Sequence, residues 1–210
     1  MQRLLHLEFG FPKLFNAGYE KTSDETGHPL SLGSYNCIAW AAEDTRHGFW
    51  WPNDYLYWPW WIKREDTVAC FVKTFRSLGY QVCLGSGKEF LFHKLALYAI
   101  HRSHNPMAVP NSLNDLRDWE PTHMARQLPD GSWTSKCGPN EDITHFTLDA
   151  LESYGLKYGA GDEYGCPVVY MKRLIPVSWI VHLLQSLQWE YERALDRFSK
   201  RQVNPAGVLA

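Results

Sequence analysis

The sequence has 210 residues, of which 45% are hydrophobic and 21% are charged, and its formal net charge is −2 at pH 7. This composition predicts a soluble globular protein that is large enough for one domain. The small net charge gives no general attraction to nucleic acid or to an anionic membrane, so neither partner is indicated.

Residues 1–34 are predicted to be an irregular lead-in with turn signals such as TGHPLSLGS. The first fifteen residues lack the apolar core of a signal peptide, and no apolar run reaches the length of a membrane-spanning helix. The five cysteines are odd in number and widely spaced, which argues against a disulfide framework or a cysteine-rich zinc site. We therefore expect a cytoplasmic protein with reduced thiols, and delivery as an effector by another route stays open.

The stretch SLGSYNCIAWAAED places Cys37 after a Gly/Ser loop, at the start of a short helix predicted from Asn36 to about Asp44. A helix N-terminus lowers the pKa of a thiol, and its backbone N–H groups can stabilise an oxyanion. A packed, unreactive thiol fits the same position, because free cysteine is among the most buried residue types. Position alone therefore leaves a catalytic and a structural role for Cys37 about equally supported.

The segment FWWPNDYLYWPWW, residues 49–61, is predicted to be a loop because its two prolines remove backbone donors and restrict their neighbours. Its aromatic rings can fill core space, or they can line a groove for a peptide or a sugar chain. Since the loop follows the Cys37 helix directly, we expect it near the same site. The candidate groove residues are Tyr35, Asn36, Trp50, Trp51 and Trp58.

The remaining elements are predicted from periodicity and turn signals. A helix with the core-facing residues Val68, Phe71, Val72 and Phe75 ends near Gly79. The predicted elements after it are the strands YQVCL and KLALYAI, an insertion or flap over 101–120, the hairpin THMARQL-PDG-SWTSKC, a helix DITHFTLDALESYG, the strand CPVVYMKRL and a C-terminal helix over 176–201.

The C-terminal helix is predicted to be amphipathic and to pack its apolar face on the body of the protein. Its apolar positions are Ile180, Leu183, Leu184, Leu187, Tyr191, Ala194, Leu195 and Phe198. Because most strands follow one another without an intervening helix, the order predicts an α+β fold with a mainly antiparallel sheet. We expect residues 1–210 to form a single domain.

His123 is the best-placed candidate base among the nine histidines, since it opens the hairpin strand that follows the flap. A three-residue Pro-Asp-Gly loop pairs Ala125 with Ser135, and strand alternation then puts His123 and Ser135 on one face. Ser135 can then bond the second ring nitrogen and fix the tautomer. A two-residue loop would instead bring Lys136 to that face, and a solvent-capped histidine at a strand edge is the structural alternative.

These segments resemble the papain-like cysteine hydrolases of the NlpC group, in which a Tyr-(Asp/Asn)-Cys segment begins a helix and a histidine opens a sheet strand. The resemblance is closest to an uncharacterised bacterial branch with Tyr-Asn-Cys-Ile-Ala-Trp, tryptophan-proline segments and a Trp-Thr-Ser-Lys hairpin, from about residue 9 to Arg173. It matches Cys37, His123 and Ser135 to the three catalytic positions in chain order. The common pattern has Asp-Cys-Ser-Gly and a histidine as third residue, where this chain has Asn-Cys-Ile-Ala and a serine.

The resemblance implies a cysteine-dependent amide hydrolase or acyl transferase, acting on a peptide, protein or other amide without a cofactor. Two alternatives remain: a catalytically inactive papain-like module that binds ligands in an aromatic groove, and a toxin- or effector-type interaction protein. We expect no metal site, because the HRSH pair lies in a polar loop without a carboxylate at a ligating spacing. The sequence does not predict an oligomeric state.

Overall fold

The structure is a computed structural model, and it describes residues 3–22, 35–103, 105, 108, 110, 113–138, 140–153 and 163–203. These residues form a mixed α+β fold around one antiparallel sheet of seven strands, in the order β1-β6-β5-β4-β3-β7-β2. The strands are β1 (Tyr19–Lys21), β2 (Gln81–Cys83), β3 (Phe92–His101), β4 (Trp119–Gln127), β5 (Trp133–Lys136), β6 (Asp142–His145) and β7 (Cys166–Leu174). The predicted α+β class with a mainly antiparallel sheet is confirmed.

The helices are α1 (Leu5–Gly10), α2 (Leu14–Ala17), α3 (Cys37–Ala41), α4 (Val68–Ser77) and α5 (Ile175–Val203). Short 3-10 turns cover Leu113–Asp118, in the predicted flap, and Leu148–Leu151. No helix among the described residues is long and apolar enough to cross a membrane.

The N-terminal lead-in is more ordered than its sequence predicts, so the expectation of an irregular segment is wrong for residues 5–21. This stretch forms α1, α2 and the edge strand β1, which pairs with β6. Leu7 and Leu14 are buried against one face of the sheet, and this burial stabilises helices of only six and four residues. Residues 23–34 of the predicted lead-in lie outside the described residues.

The sheet separates two cores, because successive side chains of a strand point to opposite faces. On face A, α3, α4 and the tryptophan loop pack on Leu95, Leu97, Met124, Val169 and Met171. On face B, α1, α2 and the 3-10 turn after β6 pack on Ala96, Tyr98, Ala125, Trp133 and Ile143. The face on which a side chain lies therefore decides which helices it can meet.

The predicted hairpin is present with its predicted turn. Leu128 N donates to Ser132 O over 2.8 Å, Gly131 has φ +99°, and Arg126 pairs with Thr134. The helix predicted to start at Asp142 is wrong, because Asp142–His145 forms strand β6 between β5 and β1. The β-branched Ile143 and Thr144 suit a strand with a neighbour on each side.

Helix α5 covers 29 residues and includes the whole C-terminal helix predicted over 176–201. The prediction that its apolar face packs on the body is wrong. Ser178 and Gln185 are the buried positions, whereas the apolar residues are 50–77% exposed: Trp179, Ile180, Leu183, Leu184, Leu187, Tyr191 and Leu195. The body instead receives the polar side of the helix.

Candidate functional site

Cys37 is the first residue of α3, and Asn36 caps that helix by accepting a hydrogen bond from Ala39 N over 3.1 Å. The Asn36 side chain also holds the tryptophan loop: its Oδ1 accepts from Trp50 N over 3.1 Å, and its Nδ2 donates to Trp50 O over 2.8 Å. Asn36 therefore fixes the start of the Cys37 helix and couples it to the loop. A capped helix start is the setting in which a thiolate gains most from backbone N–H groups.

Helix α3 lies on face A of the sheet. Trp40 Nε1 donates to Thr134 Oγ1 over 3.2 Å, and the Arg126 guanidinium lies 4.6 Å from the centre of the Trp40 ring. Ahead of the helix, the Tyr35 hydroxyl donates to Asp142 Oδ2. Strand alternation places Arg126, Thr134 and Asp142 on one face, so these contacts locate α3 and Cys37 there.

A buried polar group lies at the start of α3. Lys136 Nζ is 3.9 Å from Asp142 Oδ1 and donates to Asn140 O. Burial raises the pKa of Asp142, against the lowering effect of the Tyr35 hydrogen bond and the Lys136 charge. Burial likewise raises the pKa of Tyr35. The two groups nearest the predicted nucleophile on this face are thus a tyrosine and a carboxyl group, with no histidine in their hydrogen bonds.

His123 lies in the other core, on face B. Its ring stacks on Tyr164 with centroids 4.0 Å apart and meets the Tyr98 ring edge-on at 5.4 Å. His123 Nε2 is 3.0 Å from Ser135 Oγ, as the hairpin register predicts. Ser135 Oγ is also 3.0 Å from His145 Nε2, and His145 Nδ1 is 2.8 Å from Thr147 O.

The direction of these hydrogen bonds follows from the carbonyl at the end of the chain, which can only accept. His145 Nδ1–H therefore donates to Thr147 O, Ser135 Oγ–H donates to His145 Nε2, and His123 Nε2–H donates to Ser135 Oγ. Burial lowers the pKa of His145 to about 4 and that of His123 well below its usual range, and His145 lowers the latter further. Both rings are neutral at pH 7.

This chain of bonds, the histidine relay (His123, Ser135, His145 and Thr147 O), leaves one lone pair over. His123 Nδ1 carries no proton, is fully buried and has no hydrogen-bond partner among the described residues. A buried acceptor without a partner costs about 1–3 kcal/mol, so the fold holds this nitrogen at a price in stability. Chemically, the relay presents a neutral imidazole with a fixed tautomer and an open basic nitrogen.

The structure does not bring Cys37 and His123 into contact. Cys37 packs in the core of face A and His123 in that of face B, and no bond joins the thiol to Nδ1. The ladder between β4 and β5 is confined to Arg126–Thr134 and Gln127–Trp133, so it ends before His123 and Ser135. The expected approach of His123 to the Cys37 helix is therefore absent, whereas the expected His123–Ser135 contact is present.

Cys37 nonetheless lies near the point where β4 and β5 separate. Helix α3 packs on both strands. Burial raises the pKa of Cys137, which directly follows β5, and Asp142 and Cys37 act in the same direction. Cys37 is thus within electrostatic range of Cys137, which lies in the core of face B. The start of α3 and the relay occupy the two sides of one opening in the sheet.

The aromatic groove is not present as predicted. Trp50 and Trp58 are 1% and 2% exposed and belong to the core of face A, and the Trp58 ring packs edge-on against Phe71. Trp51 is half-buried and its Nε1 donates to Asp66 over 3.3 Å. Tyr35 and Asn36 support α3 through the contacts given above. The loop at 49–61 therefore fills core space, and its exposed rings are those of Tyr55 and Trp60.

His145 is the site residue that the sequence analysis missed. It falls in the stretch DITH, which was predicted to be helical, and a helix would have turned it away from Ser135. Alternation of Ile143 and His145 against Ser135 and Trp133 was the available signal, because it places His145 beside the hairpin on one face.

Comparison with known families adds one finding. The model of the family described as Domain of unknown function (DUF7689) matches residues 21–172. The chain belongs to the DUF7689 family. No curated protein and no solved structure matches it. The DUF7689 match includes α3, the hairpin and both histidines of the relay, and it ends before α5.

Proposed function

We propose that this DUF7689 protein is a cysteine-dependent amide hydrolase or acyl transferase of papain-like type, with Cys37 as nucleophile and His123 as base. The observation that carries the proposal is His123 Nδ1, a buried lone pair without a partner, whose ring is fixed by three successive hydrogen bonds. In a papain-like dyad the base needs one nitrogen held by an orienting group and the other open to the thiol. The relay meets that requirement with Ser135 and His145 as positioning residues.

The reaction begins with transfer of the Cys37 Sγ proton to His123 Nδ1. The thiolate then attacks the carbonyl carbon of the amide, and the backbone N–H groups at the start of α3 stabilise the oxyanion. The proton on Nδ1 passes to the leaving nitrogen, and the C–N bond breaks. Water resolves the thioester in a hydrolase, and an amine does so in a transferase.

The structure corresponds to a resting state, because thiol and imidazole are apart and the relay is fully buried. A neutral imidazole is the correct form to accept a proton, but its lowered pKa makes it a weak base. Approach of the thiol changes this, since thiolate and imidazolium stabilise each other. The proposal therefore requires that substrate binding closes the gap between α3 and β4.

The alternative of a binding module with an aromatic groove has less support, since Trp50 and Trp58 are core residues. The alternative of an interaction protein depends on α5 and is compatible with a catalytic body. The proposed substrate remains a peptide, protein or other amide.

Selective labelling tests the nucleophile. Exposure alone predicts that a tagged chloroacetamide reaches Cys83 and Cys166 first, because these thiols are half-exposed and Cys37 is buried. Activation by the helix start and His123 predicts the reverse order, with Cys37 as the first site found by peptide mass spectrometry. His123→Ala should restore the order set by exposure. Labelling of Cys83 and Cys166 ahead of Cys37 in the unmodified protein would refute the proposal.

A further inference from the structure

Helix α5 has its polar side on the body and its apolar side in solvent. The polar side is held by named contacts: His182 Nε2 is 3.0 Å from Glu43 Oε2, Arg46 Nη1 donates to Ser186 Oγ over 2.9 Å, and Gln188 Nε2 donates to Tyr57 Oη over 3.1 Å. On the opposite side lies the α5 stripe, which comprises the exposed residues Ile180, Leu183, Leu184, Leu187, Tyr191 and Leu195. The docking of α5 is thus complete without the stripe.

The spacing of the stripe indicates a helical partner. Ile180, Leu184, Leu187, Tyr191 and Ala194 follow one another at intervals of four, three, four and three residues. This is the hydrophobic repeat of helices that pack along each other at a small angle. A helix of 29 residues is roughly 44 Å long, so the stripe can cover several turns of a second helix.

The stripe is complementary to itself when two copies of α5 run antiparallel. A two-fold axis at the level of Trp189 sets Leu187 opposite the Tyr191 position of a second copy, Leu184 opposite Ala194, and Leu183 opposite Leu195. Every apolar position between 183 and 195 then meets an apolar position, as an interface between identical surfaces demands. A stable interface needs about 800 Å² per partner, and six large side chains, each at least half-exposed, are of that order.

We propose that the chain forms a homodimer in which the α5 stripes of two copies pack against each other in this antiparallel register. Glu190 flanks the stripe on the same side as Leu183, so its two copies approach each other near the two-fold axis. This places one unfavourable like-charge pair in an otherwise apolar interface. The inference rests on α5 and is independent of the proposed chemistry at Cys37.

Sedimentation equilibrium of the purified full-length chain over a range of concentrations tests the dimer. Leu187→Glu should raise the dissociation constant by roughly a hundredfold or more, because it introduces two desolvated charges per dimer. Leu84→Glu is the matched control, since Leu84 is an exposed apolar residue of the body and should leave dimerisation unchanged. Glu190→Gln should lower the dissociation constant, and added salt should do the same for the unmodified protein.

Three results would overturn the inference. One is a wild-type protein that stays monomeric at concentrations of tens of micromolar, and another is a dimer unaffected by Leu187→Glu. The third is a monomer that binds anionic phospholipid vesicles through the stripe, which would make a lipid surface the occupant. A parallel arrangement would be revealed by Glu190→Gln leaving the affinity unchanged, and it would contradict the antiparallel register.

Discussion

His123 Nε2 and Ser135 Oγ are 3.0 Å apart on face B, and both residues are fully buried. Ser135 joins two imidazoles, because it accepts from His123 and donates to His145. A serine that serves as donor and acceptor between two buried rings determines the tautomer of both. The open nitrogen of His123 therefore depends on a hydroxyl group ten residues from the histidine that orients it.

Ser135→Ala should destabilise the fold. The change removes two hydrogen bonds and leaves His123 Nε2–H and His145 Nε2 buried without a partner, at about 1–3 kcal/mol each. The free energy of unfolding from urea titration measures the loss. Ser103→Ala is the control, since Ser103 is exposed and its change should stay within about 0.5 kcal/mol. Equal stability of the two variants would contradict the hydrogen-bond directions assigned to the relay.

Stability should fall as the pH is lowered from 6.5 toward 4. Burial lowers the pKa of His145 from 6.5 to about 4, so the unfolded chain binds a proton that the folded chain does not. Folding is then favoured above the unfolded pKa, and stability is lost on acidification by up to about 1.4 kcal/mol per pH unit. The pKa of His123 is lowered in the same direction and adds to the slope.

His145→Gln isolates this effect, because glutamine can donate to Thr147 O and accept from Ser135 without titrating. The slope of unfolding free energy against pH, measured between pH 6.5 and 4, should be smaller in the variant. A variant slope equal to that of the wild type would show that His145 is protonated in the folded protein, and that the assigned bond directions are wrong.

Trp50→Ala and Trp58→Ala should each destabilise the protein by about 3–5 kcal/mol, since both side chains are buried in the core of face A. Trp60→Ala is the matched change in the same loop, and at 82% exposure it should cost less than about 0.5 kcal/mol. Thermal and urea unfolding of the three variants provide the comparison. Small effects for Trp50 and Trp58 would return them to the surface groove that the sequence suggested.

Local signals in the sequence predicted much of the site. The capped start of α3, the Pro-Asp-Gly turn and the register that joins His123 to Ser135 depend on neighbouring residues, so they were readable. What was not readable is which face of the sheet receives α3. That choice depends on contacts such as Trp40 with Thr134, between residues far apart in the chain.

Two errors have the same physical origin. The stretch DITH was predicted to be helical because it precedes apolar residues at helical spacing, but β5 and β1 supply hydrogen-bond partners on both sides. The apolar stripe of α5 was predicted to face the body, but the body offers charged partners such as Glu43 and Arg46 to the polar side. In both cases tertiary contacts decided what periodicity left open.

His47 couples α5 to the body through two carboxylates. Its Nδ1 is 2.7 Å from Asp44 Oδ2 and its Nε2 is 3.0 Å from Glu192 Oε2. Burial alone would lower the pKa of His47, but the bonds to Asp44 and Glu192 outweigh it and raise the pKa. This stabilisation is complete below the unfolded pKa of about 6.5 and is lost as the pH rises through the folded value.

Glu192→Gln should lower the pKa of His47, because it removes one of the two negative partners. Titration of the His47 ring protons by NMR measures the shift. Glu190→Gln is the control, since Glu190 lies on the same helix and pairs with Arg193 instead. An unchanged His47 pKa in Glu192→Gln would mean that α5 does not dock on His47 in solution.

The central claim is that His123 activates Cys37 although the two are apart in the resting structure. Its most direct test is the rate of Cys37 alkylation by iodoacetamide, resolved by peptide mass spectrometry, as a function of pH. In the unmodified protein the midpoint should lie well below the ordinary cysteine pKa of about 8.5. His123→Ala should move it upward, and Ser103→Ala should leave it unchanged. A midpoint at or above 8.5 that does not respond to His123→Ala would contradict the claim and leave Cys37 as a packing residue.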